Sequence, residues 1–458
     1  MTTTTTTVES GREQYVSSGV RESVRSRLAN SDVPIERIDK RDPSGPPTPT
    51  LHDDVSTMII GQTGNGKSTF VKERIDKWDF DGAVIAHALS EADTDNEFVE
   101  FFENRRDQDV VKISSRNSTH RWDPLLDFGR TLRGLETLSR GLFRSRDAKE
   151  TGWFQPAQTL LMCALVVTMI EEKDFAALPD IATRGPMRLV KNCEELSKDR
   201  TRSITRPIRD MDEEDRSAVQ TTMLNQLRPL FLSDIVDDDL PRVSLKEYLA
   251  EPDEKVIVCD NIRRDRHAAP FWRLFLQSAI DLSYGAEGKQ QFLLDEFDKL
   301  PRIENLPGLA SAGRSAGVVG VLVAQDLHQV EDRYGDLAKS LWTNCPNRAA
   351  FRLSDMETAD LVLSGIGRYE MKRQSLSAGS DPDDQRVSTS IAVQQPIVSG
   401  DLMSLDIGEA LIQSREGWWL GKLEEPDISK TALPQPDEGL TAESRFRRFA
   451  RKHINDTP

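Results

Sequence analysis

The chain has 458 residues, enough for two or three domains, and 30% of them are charged. The formal net charge of −16 excludes a protein that holds nucleic acid with a basic surface all round, so any such contact must come from local patches. This acidity, with Arg outnumbering Lys, is typical of a halophile with a salt-rich cytoplasm, where extra carboxylates keep a protein hydrated.

The first part of the chain, residues 1–50, carries a threonine run and a proline-rich stretch, which predict a flexible leader and linker. Its start lacks the basic and apolar character of a signal peptide, so we expect a cytoplasmic protein. The longest apolar stretch, 160–170, is shorter than the roughly 20 residues of a membrane-spanning helix. We expect a buried core helix there.

A β-branched run at 55–60 predicts a buried strand, and it is followed by the G-x-x-x-x-G-K-[ST] phosphate-binding pattern. The predicted nucleotide-binding residues are Gly61, Gln62, Thr63, Gly64, Asn65, Gly66, Lys67, Ser68 and Thr69. Glycines let the backbone curl, so that its N–H groups converge on a phosphate at the start of a helix. We expect Lys67 to reach the β- and γ-phosphates and the Ser68 hydroxyl to ligate Mg²⁺.

A second apolar run, at 292–294, ends in Asp295 and Glu296 and predicts a parallel strand buried on both faces. The carboxyl ends of such strands open at the crevice where α/β sheets bind ligands. We expect Asp295 to hold Mg²⁺, directly or through water, and Glu296 to orient and deprotonate the attacking water. A nucleotide switch does not need Glu296, so the pair predicts hydrolysis. We expect the two motifs to meet across the tips of adjacent strands.

Two polar residues flank a further predicted strand, Val318–Ala324. Gln325 ends it, and its amide is either a sensor of the γ-phosphate or a plain strand cap. Arg314 precedes it and cannot easily fold back onto its own phosphate loop. Arg314 therefore either stabilises charge on a neighbouring subunit's nucleotide or is an ordinary surface arginine.

The remaining pattern predicts an α/β fold, with a mostly parallel sheet flanked by helices. Further strands are predicted at 83–87, 110–113, 256–259 and 349–353, a hairpin at 409–413 with 418–423, and a mobile loop at 375–390. A polar, helix-forming stretch poor in strand formers, 174–250, lies between the two motifs and predicts an inserted all-α domain. This leaves a discontinuous motor domain, 51–173 and 251–425, and a basic tail, 426–458.

Arginine clusters interrupt the acidic background in two helical stretches and in the tail. Each cluster either contacts nucleic-acid phosphates or forms a solvated helix face paired with nearby acids, the more common arrangement. The clusters comprise Arg130, Arg133, Arg140, Arg144 and Arg146; Arg200, Arg202, Arg206 and Arg209; and Arg445, Arg447, Arg448, Arg451 and Lys452. The last group could instead lie against an anionic membrane or a partner.

The block 292–359 resembles the type IV secretion coupling proteins, the TraD/TraG-type ATPases of conjugation, which are relatives of the FtsK and HerA translocases. That family carries the same order of an L-D-E-F strand end, a G-R-x-x-G turn, a strand ending in Gln and a Y-G turn, as at 294–297, 313–317, Gln325 and 334–335. The Trp122-Asp123-Pro124-Leu125 turn is similar as well. The likeness extends over about 55–125 and 255–425.

The resemblance implies a RecA-like P-loop ATPase domain with an inserted all-α domain, assembled as a ring, a hexamer in the family. It implies ATP-driven movement of DNA, more often single-stranded, toward a membrane channel with a relaxase-type partner. It also favours Arg314 as a finger acting in trans and Gln325 as a sensor. Many members have N-terminal membrane helices; none is predicted here, so we expect a cytoplasmic motor docked peripherally at the cell membrane.

Two alternatives stay open from the sequence. The same motor could package a viral genome or act as a HerA-like translocase on DNA ends. A nucleotide-gated docking protein that hands protein cargo to a secretion channel belongs to a different class. DNA-stimulated ATP hydrolysis distinguishes the motor from the docking protein, whereas neighbouring genes distinguish conjugation from packaging.

Overall fold

The computed structural model describes residues 51–423, apart from 53, 76–79, 89–96, 106–109, 115–117, 130, 144–150, 198–199, 232–233, 237–238, 251–254, 261, 263–267, 312, 367–368, 379–384, 395–396 and 416. The predicted leader, 1–50, and the predicted tail, 426–458, lie outside the described residues.

The described strands are numbered in chain order. They are β1 (Thr57–Ile60), β2 (Gly82–His87), β3 (Val110–Ser114), β4 (Arg121–Trp122), β5 (Arg242–Val243), β6 (Lys255–Asp260), β7 (Gln290–Asp295), β8 (Val318–Ala324), β9 (Asn347–Ala350), β10 (Tyr369–Ala378), β11 (Gln385–Gln394), β12 (Glu409–Ser414) and β13 (Gly417–Lys422).

The helices are numbered in the same way. They are α1 (Lys67–Ile75), α2 (Glu97–Glu100), α3 (Pro124–Phe128), α4 (Leu132–Leu142), α5 (Thr151–Ile170), α6 (Leu178–Ala182), α7 (Pro186–Leu196), α8 (Arg202–Asp210), α9 (Glu213–Phe231), α10 (Leu245–Ala250), α11 (Ala269–Ser283), α12 (Leu306–Ser311), α13 (Leu327–Tyr334), α14 (Leu337–Asn344), α15 (Met356–Leu363) and α16 (Ser399–Leu402).

Nine strands form one sheet in the order β13-β12-β9-β1-β8-β7-β2-β6-β3. Neighbours from β9 to β3 are parallel, and the β12–β13 hairpin adds an antiparallel edge. β1, β2, β7 and β8 are buried along their whole length, as expected for parallel strands covered on both faces. The sheet and its intervening helices confirm the predicted α/β class.

The register places the carboxyl ends of the central strands at one edge. Ile60 pairs with Ala324 across β1 and β8, and His87 pairs with Asp295 across β2 and β7. The loops that follow these strands therefore emerge side by side, and this edge carries the candidate site.

Two predicted elements, a strand and a loop, differ from the structure. The strand predicted at 349–353 is Asn347–Ala350; beyond it Phe351 still donates its N–H to the Ile60 carbonyl (2.9 Å), and the Arg352 carbonyl then accepts from Gln62 of the loop after β1. The loop predicted at 375–390 is wrong over 375–378 and 385–390, where β10 and β11 pair antiparallel from Tyr369↔Gln394 to Ala378↔Gln385, and its centre, 379–384, lies outside the described residues. The Gly, Pro and Asp residues between these strands dominated the prediction, whereas alternating apolar residues such as Ile391 and Val393 indicate a strand.

A helical segment interrupts the large sheet. β4 and β5 pair in parallel at its base, and all the described helices and turns between them, α3 to α9, belong to this segment. Asp127 fastens the base, because its carboxylate accepts from Trp122 Nε1 (2.7 Å), Ser244 Oγ (2.7 Å) and the Lys246 N–H (2.9 Å). Trp122 itself is buried against Phe271 and Phe275 of α11, each ring centroid 5.2 Å away.

Helix α5 is the centre of this segment and packs against α4, α7 and α9. By length and hydropathy alone, Gly152–Ile170 could cross a membrane. The sequence analysis counted only the apolar stretch 160–170 and therefore underestimated the length of the apolar helix. Leu161, Leu165 and Val167 are fully buried in the hydrophobic core, as predicted for a core helix.

Candidate active site

The loop after β1 has the backbone of an anion cradle. Gly61, Gly64 and Gly66 have φ values of 148°, 81° and 99°, which side chains other than glycine rarely adopt. At Gly61 a Cβ atom would come within 2.6 Å of Phe351 Cβ, so the close approach also requires glycine. Helix α1 then begins at Lys67, which directs its first N–H groups toward the loop.

Three distant segments hold this loop. The Gly61 N–H donates to the Gln325 carbonyl (3.1 Å), and the Gln62 N–H donates to the Arg352 carbonyl (2.9 Å). From the third segment, the Gly408 N–H donates to the Asn65 carbonyl at 3.1 Å. The loop is therefore built by the fold as much as by its own sequence.

Lys67 folds back over its own loop. Its Nζ donates to the Gly61 carbonyl and, at 2.9 Å, to the Gln62 carbonyl. Burial lowers the pKa of Lys67, while the charges of Asp295 and Glu296 oppose that shift. The phosphate-loop lysine thus lies within electrostatic range of the acidic pair. Ser68 is exposed next to it on the first turn of α1.

The acidic pair lies at the end of β7. The Glu296 N–H donates to Asp295 Oδ1 at 3.1 Å, and Glu296 Oε1 accepts from Lys299 Nζ at 2.5 Å. Glu296 has a φ of 49°, one of two positive values among the described residues other than glycine. Such backbone strain persists only where the surroundings impose it, and it clusters at functional sites.

The expectation of adjacent strands is wrong, because β8 lies between β1 and β7. Neighbouring strands are about 4.8 Å apart, so the two motifs are separated by roughly twice that distance. Gln325, which follows β8, spans this gap: its Nε2 donates to Thr63 Oγ1 (3.0 Å) and to Glu296 Oε1 (3.2 Å). One amide therefore links the phosphate loop to the candidate base.

His87 is a site residue that the sequence analysis missed. It ends β2 opposite Asp295, with its Nε2 3.1 Å from Asp295 Oδ2, and its ring lies edge-on to Phe98 at 5.5 Å. A polar residue at the end of a predicted strand was the available signal. Because the order of strands was unknown, nothing connected this residue to Asp295.

The residues converge on an open cavity of about 480 Å³. It is lined by Thr63, Gly64, Gly66, Lys67, Ser68, Thr69, His87, Asp295, Glu296 and Ile407. The structure thus brings together Lys67, Ser68 and Thr69 with Asp295 and Glu296, and Gln325 contacts both groups. Gly61, Gln62 and Asn65 form the rest of the loop beneath them.

Some predicted residues lie elsewhere or outside the described side chains. Arg314 lies in a tight turn, Gly313–Ala316, and its side chain is outside the described part of the structure. Arg140 and Arg206 are exposed and pair with Glu136 (2.6 Å) and Asp210 (3.2 Å) one helical turn away. These two arginines form the solvated, ion-paired helix faces that the sequence left as one alternative.

The residues present fit a magnesium nucleoside triphosphate. Positive-φ glycines leave room for phosphate oxygens beside the loop, Lys67 supplies a movable cation, and Ser68 with Asp295 supplies the hard oxygen ligands that Mg²⁺ prefers. The volume lies within the about 300–1,000 Å³ typical of small-molecule sites. The arrangement can therefore bind a triphosphate and present a carboxylate to water beside it.

A family model described as the type IV secretion-system coupling protein DNA-binding domain matches residues 43–422. No curated protein matches the sequence.

Solved structures of a conjugative coupling protein are similar to this one. Unbound bacterial TrwBdeltaN70 has a TM-score of 0.62 at 14% identity, covering 81% of this chain and 85% of that chain. TrwB with ADP and Mg²⁺ has a TM-score of 0.60 at 15% identity, covering 81% and 86%. TrwB with the ATP analogue ADPNP has a TM-score of 0.59 at 14% identity, covering 81% and 85%. The likeness confirms the predicted fold.

The family match covers far more than half of the chain and includes both nucleotide motifs, the helical segment and the block 292–359. It confirms the resemblance drawn from the sequence. This chain belongs to the family of type IV secretion-system coupling proteins and carries their DNA-binding domain.

Proposed function

We propose that this chain is an ATP-hydrolysing motor that moves DNA in conjugative, type IV secretion-like transfer. The observation that carries the proposal is the shared cavity, in which Lys67 and Ser68 face Asp295 and Glu296. A phosphate loop alone supports binding, whereas a carboxylate beside it supports cleavage. Family membership supplies the link to DNA.

The phosphate loop, Lys67 and Thr69 bind the triphosphate in this proposal. Lys67 leaves the carbonyls of Gly61 and Gln62 and moves to the β- and γ-phosphates. Ser68 and Asp295 hold Mg²⁺, which neutralises phosphate charge when bound. His87 keeps the Asp295 carboxylate oriented from the neighbouring strand.

Glu296 is the proposed general base for the attacking water. In the structure its Oε1 accepts from Lys299 and Gln325, and these two donors lower the basicity of the carboxylate. Gln325 also touches Thr63, so it is suited to sense the γ-phosphate and to pass its loss to Glu296. This geometry favours the sensor over the plain strand cap.

Arg314 is proposed to act on the nucleotide of a neighbouring subunit, in a ring that we expect to be a hexamer. Its place in the turn before β8, away from the loop of its own chain in sequence, motivates the assignment. An arginine supplied in trans stabilises transition-state charge and couples hydrolysis around a ring. In this proposal DNA, single-stranded in preference to double-stranded, passes through the centre.

We also propose a division into motor domain, helical insertion and basic tail, with one revision of the bounds expected from the sequence, 51–173 and 251–425 for the motor domain and 174–250 for the insertion. Helix α5 packs against α7 and α9 of the segment predicted as the insertion, and the base of that segment is the β4–β5 pair. The insertion therefore begins near residue 124 instead of 174. We further propose that the motor works in a salt-rich cytoplasm and docks peripherally at the cell membrane. Its partners there would be a membrane channel and a relaxase-type protein.

The decisive experiment measures ATP turnover without DNA and with single- or double-stranded DNA, from low to molar salt, together with the mass in solution. We expect DNA to stimulate turnover, with weaker stimulation at high salt because phosphate contacts weaken steeply with ionic strength. The salt series matters because an acidic chain can need salt to stay folded. ATP turnover that no DNA stimulates at any salt concentration would contradict the DNA motor and favour the docking protein.

A further inference from the structure

Ile407 is the most exposed large apolar side chain in the described part of the structure, at 70%. Among the described residues that line the candidate active-site cavity, it is also the only aliphatic side chain. All the others are glycine, hydroxyl, charged or imidazole residues. An exposed aliphatic group at the mouth of an otherwise polar cavity is a contact surface for an apolar part of a ligand.

The backbone presents Ile407 at the tip of a tight turn. The Glu409 N–H donates to the Asp406 carbonyl at 3.0 Å, and Gly408 has a φ of 82°. These are the features of a type II turn, in which the third position requires glycine and the second, here Ile407, points outward. The buried Glu409 closes the turn, because its Oε2 accepts from the Asp406 N–H at 3.1 Å.

The turn is fixed to the phosphate loop. The Gly408 N–H donates to the carbonyl of Asn65, a buried residue of that loop. Leu405 on one side of the turn and Ala410 on the other are buried in the protein. Ile407 is therefore held at a set place relative to the site for the phosphates, as a specificity contact must be.

We propose that Ile407 is the base platform of the nucleotide site, packing against one face of the nucleobase. This inference rests on the proposed nucleotide binding and deepens it. A nucleoside triphosphate has a charged end, which matches Lys67, Ser68 and the acidic pair, and a base with flat apolar faces. Among the described lining residues Ile407 matches such a face, since the imidazole of His87 is already engaged by Asp295 and Phe98. The strength of an aliphatic contact depends on the area of the base that it covers and not on the hydrogen-bonding groups of the base. The platform therefore favours the larger purines over pyrimidines and discriminates only weakly between adenine and guanine.

The test compares the affinity of the full chain for Mg²⁺ complexes of ATP, GTP, CTP and inorganic tripolyphosphate. Tripolyphosphate has the charged end without a base. We expect Ile407→Ala to weaken ATP and GTP binding about four- to fifteenfold, the equivalent of one or two buried methylene groups, and CTP binding by less. Affinity for tripolyphosphate stays unchanged, and Ile407→Leu, which keeps the apolar area, retains affinity for ATP.

Met356→Ala is the matched control, because Met356 is 56% exposed but does not line the cavity. The platform is refuted by ATP affinity that does not change in Ile407→Ala, or by an equal loss for ATP and tripolyphosphate, which would assign Ile407 to support of the phosphate loop. A wild-type chain that binds neither ATP nor tripolyphosphate refutes the proposed function itself.

Discussion

Glu296 combines a strained backbone with a carboxylate that is already engaged. Its φ is 49°, and its Oε1 accepts from both Lys299 and Gln325. Two donors on one oxygen make the carboxylate a weaker base, so its basicity rises when one of them moves away. The γ-phosphate of a bound nucleotide can attract the Gln325 amide away from Glu296, and this exchange would strengthen the base.

Asp298 is buried in the same turn, and its Oδ1 has no hydrogen-bond partner among the described residues. Burial raises its pKa from 3.8 to about 6. As pH rises through this window the unfolded chain ionises first, so the folded state loses stability, by about 3 kcal/mol once both states are ionised. Below the lower pKa the penalty vanishes.

We therefore expect Asp298→Asn, which removes the charge at similar size, to raise the free energy of unfolding at pH 7.5. The advantage over wild type should shrink as pH falls from 6 toward 4. Urea denaturation at a series of pH values measures it. An advantage that does not vary with pH would show that the Asp298 carboxyl is not the source.

His87 is expected to orient Asp295, since the two side chains meet at 3.1 Å across paired strands. His87→Ala should raise the Mg²⁺ concentration needed for ADP binding by about tenfold, the usual scale for a residue that orients a metal ligand. His87→Gln, which can still donate a hydrogen bond, should restore part of the affinity. ADP titrations with EDTA measure the affinity without Mg²⁺. If His87→Ala needs the same Mg²⁺ concentration as wild type, His87 does not orient Asp295 for the metal.

The sequence predicted Lys67, Ser68, Asp295 and Glu296 because each is part of a contiguous motif whose spacing carries its meaning. It missed His87 and Ile407 for the opposite reason. His87 reaches Asp295 only through the register of β2 and β7, and Ile407 reaches the cavity only through a turn more than three hundred positions from the phosphate loop. No local pattern encodes either contact.

At the scale of elements, the important finding is the position of β8. The sequence predicted β8 residue for residue, yet it placed the two nucleotide motifs on adjacent strands. Buried parallel strands have near-identical apolar runs, so their order in a sheet is not contained in their composition. The intervening strand gives Gln325 its place between the phosphate loop and Glu296.

The phosphate loop depends on its packing against the chain after β9. Gly61→Ala would push a Cβ atom against Phe351 and would place alanine at a φ of 148°. We therefore expect the free energy of unfolding to fall by about 2–4 kcal/mol, and we expect ATP binding to be lost. Gly400→Ala is the control, because a Cβ atom there meets no heavy atom of the described residues within 4 Å. Thermal unfolding and ATP binding of both variants test this; a Gly61→Ala protein as stable as Gly400→Ala would contradict the packing argument.

The whole molecule is proposed to work as a ring in which each nucleotide lies between two subunits. Lys67→Ala and Arg314→Ala should each abolish ATP turnover alone. Mixed together they should recover part of it, because an Arg314→Ala subunit keeps its phosphate loop and borrows an arginine from a Lys67→Ala neighbour. Turnover of the mixture is measured beside its mass in solution; mixed assemblies without recovery would refute action in trans.

The central claim is that a nucleotide bound by the phosphate loop is cleaved by the carboxylate at the end of β7, across the intervening β8. The most direct measurement compares ATP binding with ATP turnover in wild type, Lys67→Ala and Glu296→Gln. We predict that Glu296→Gln binds ATP as wild type does but loses at least about 100-fold in turnover, the usual scale for a general base. Lys67→Ala should fail to bind. Turnover by Glu296→Gln at the wild-type rate would contradict the account.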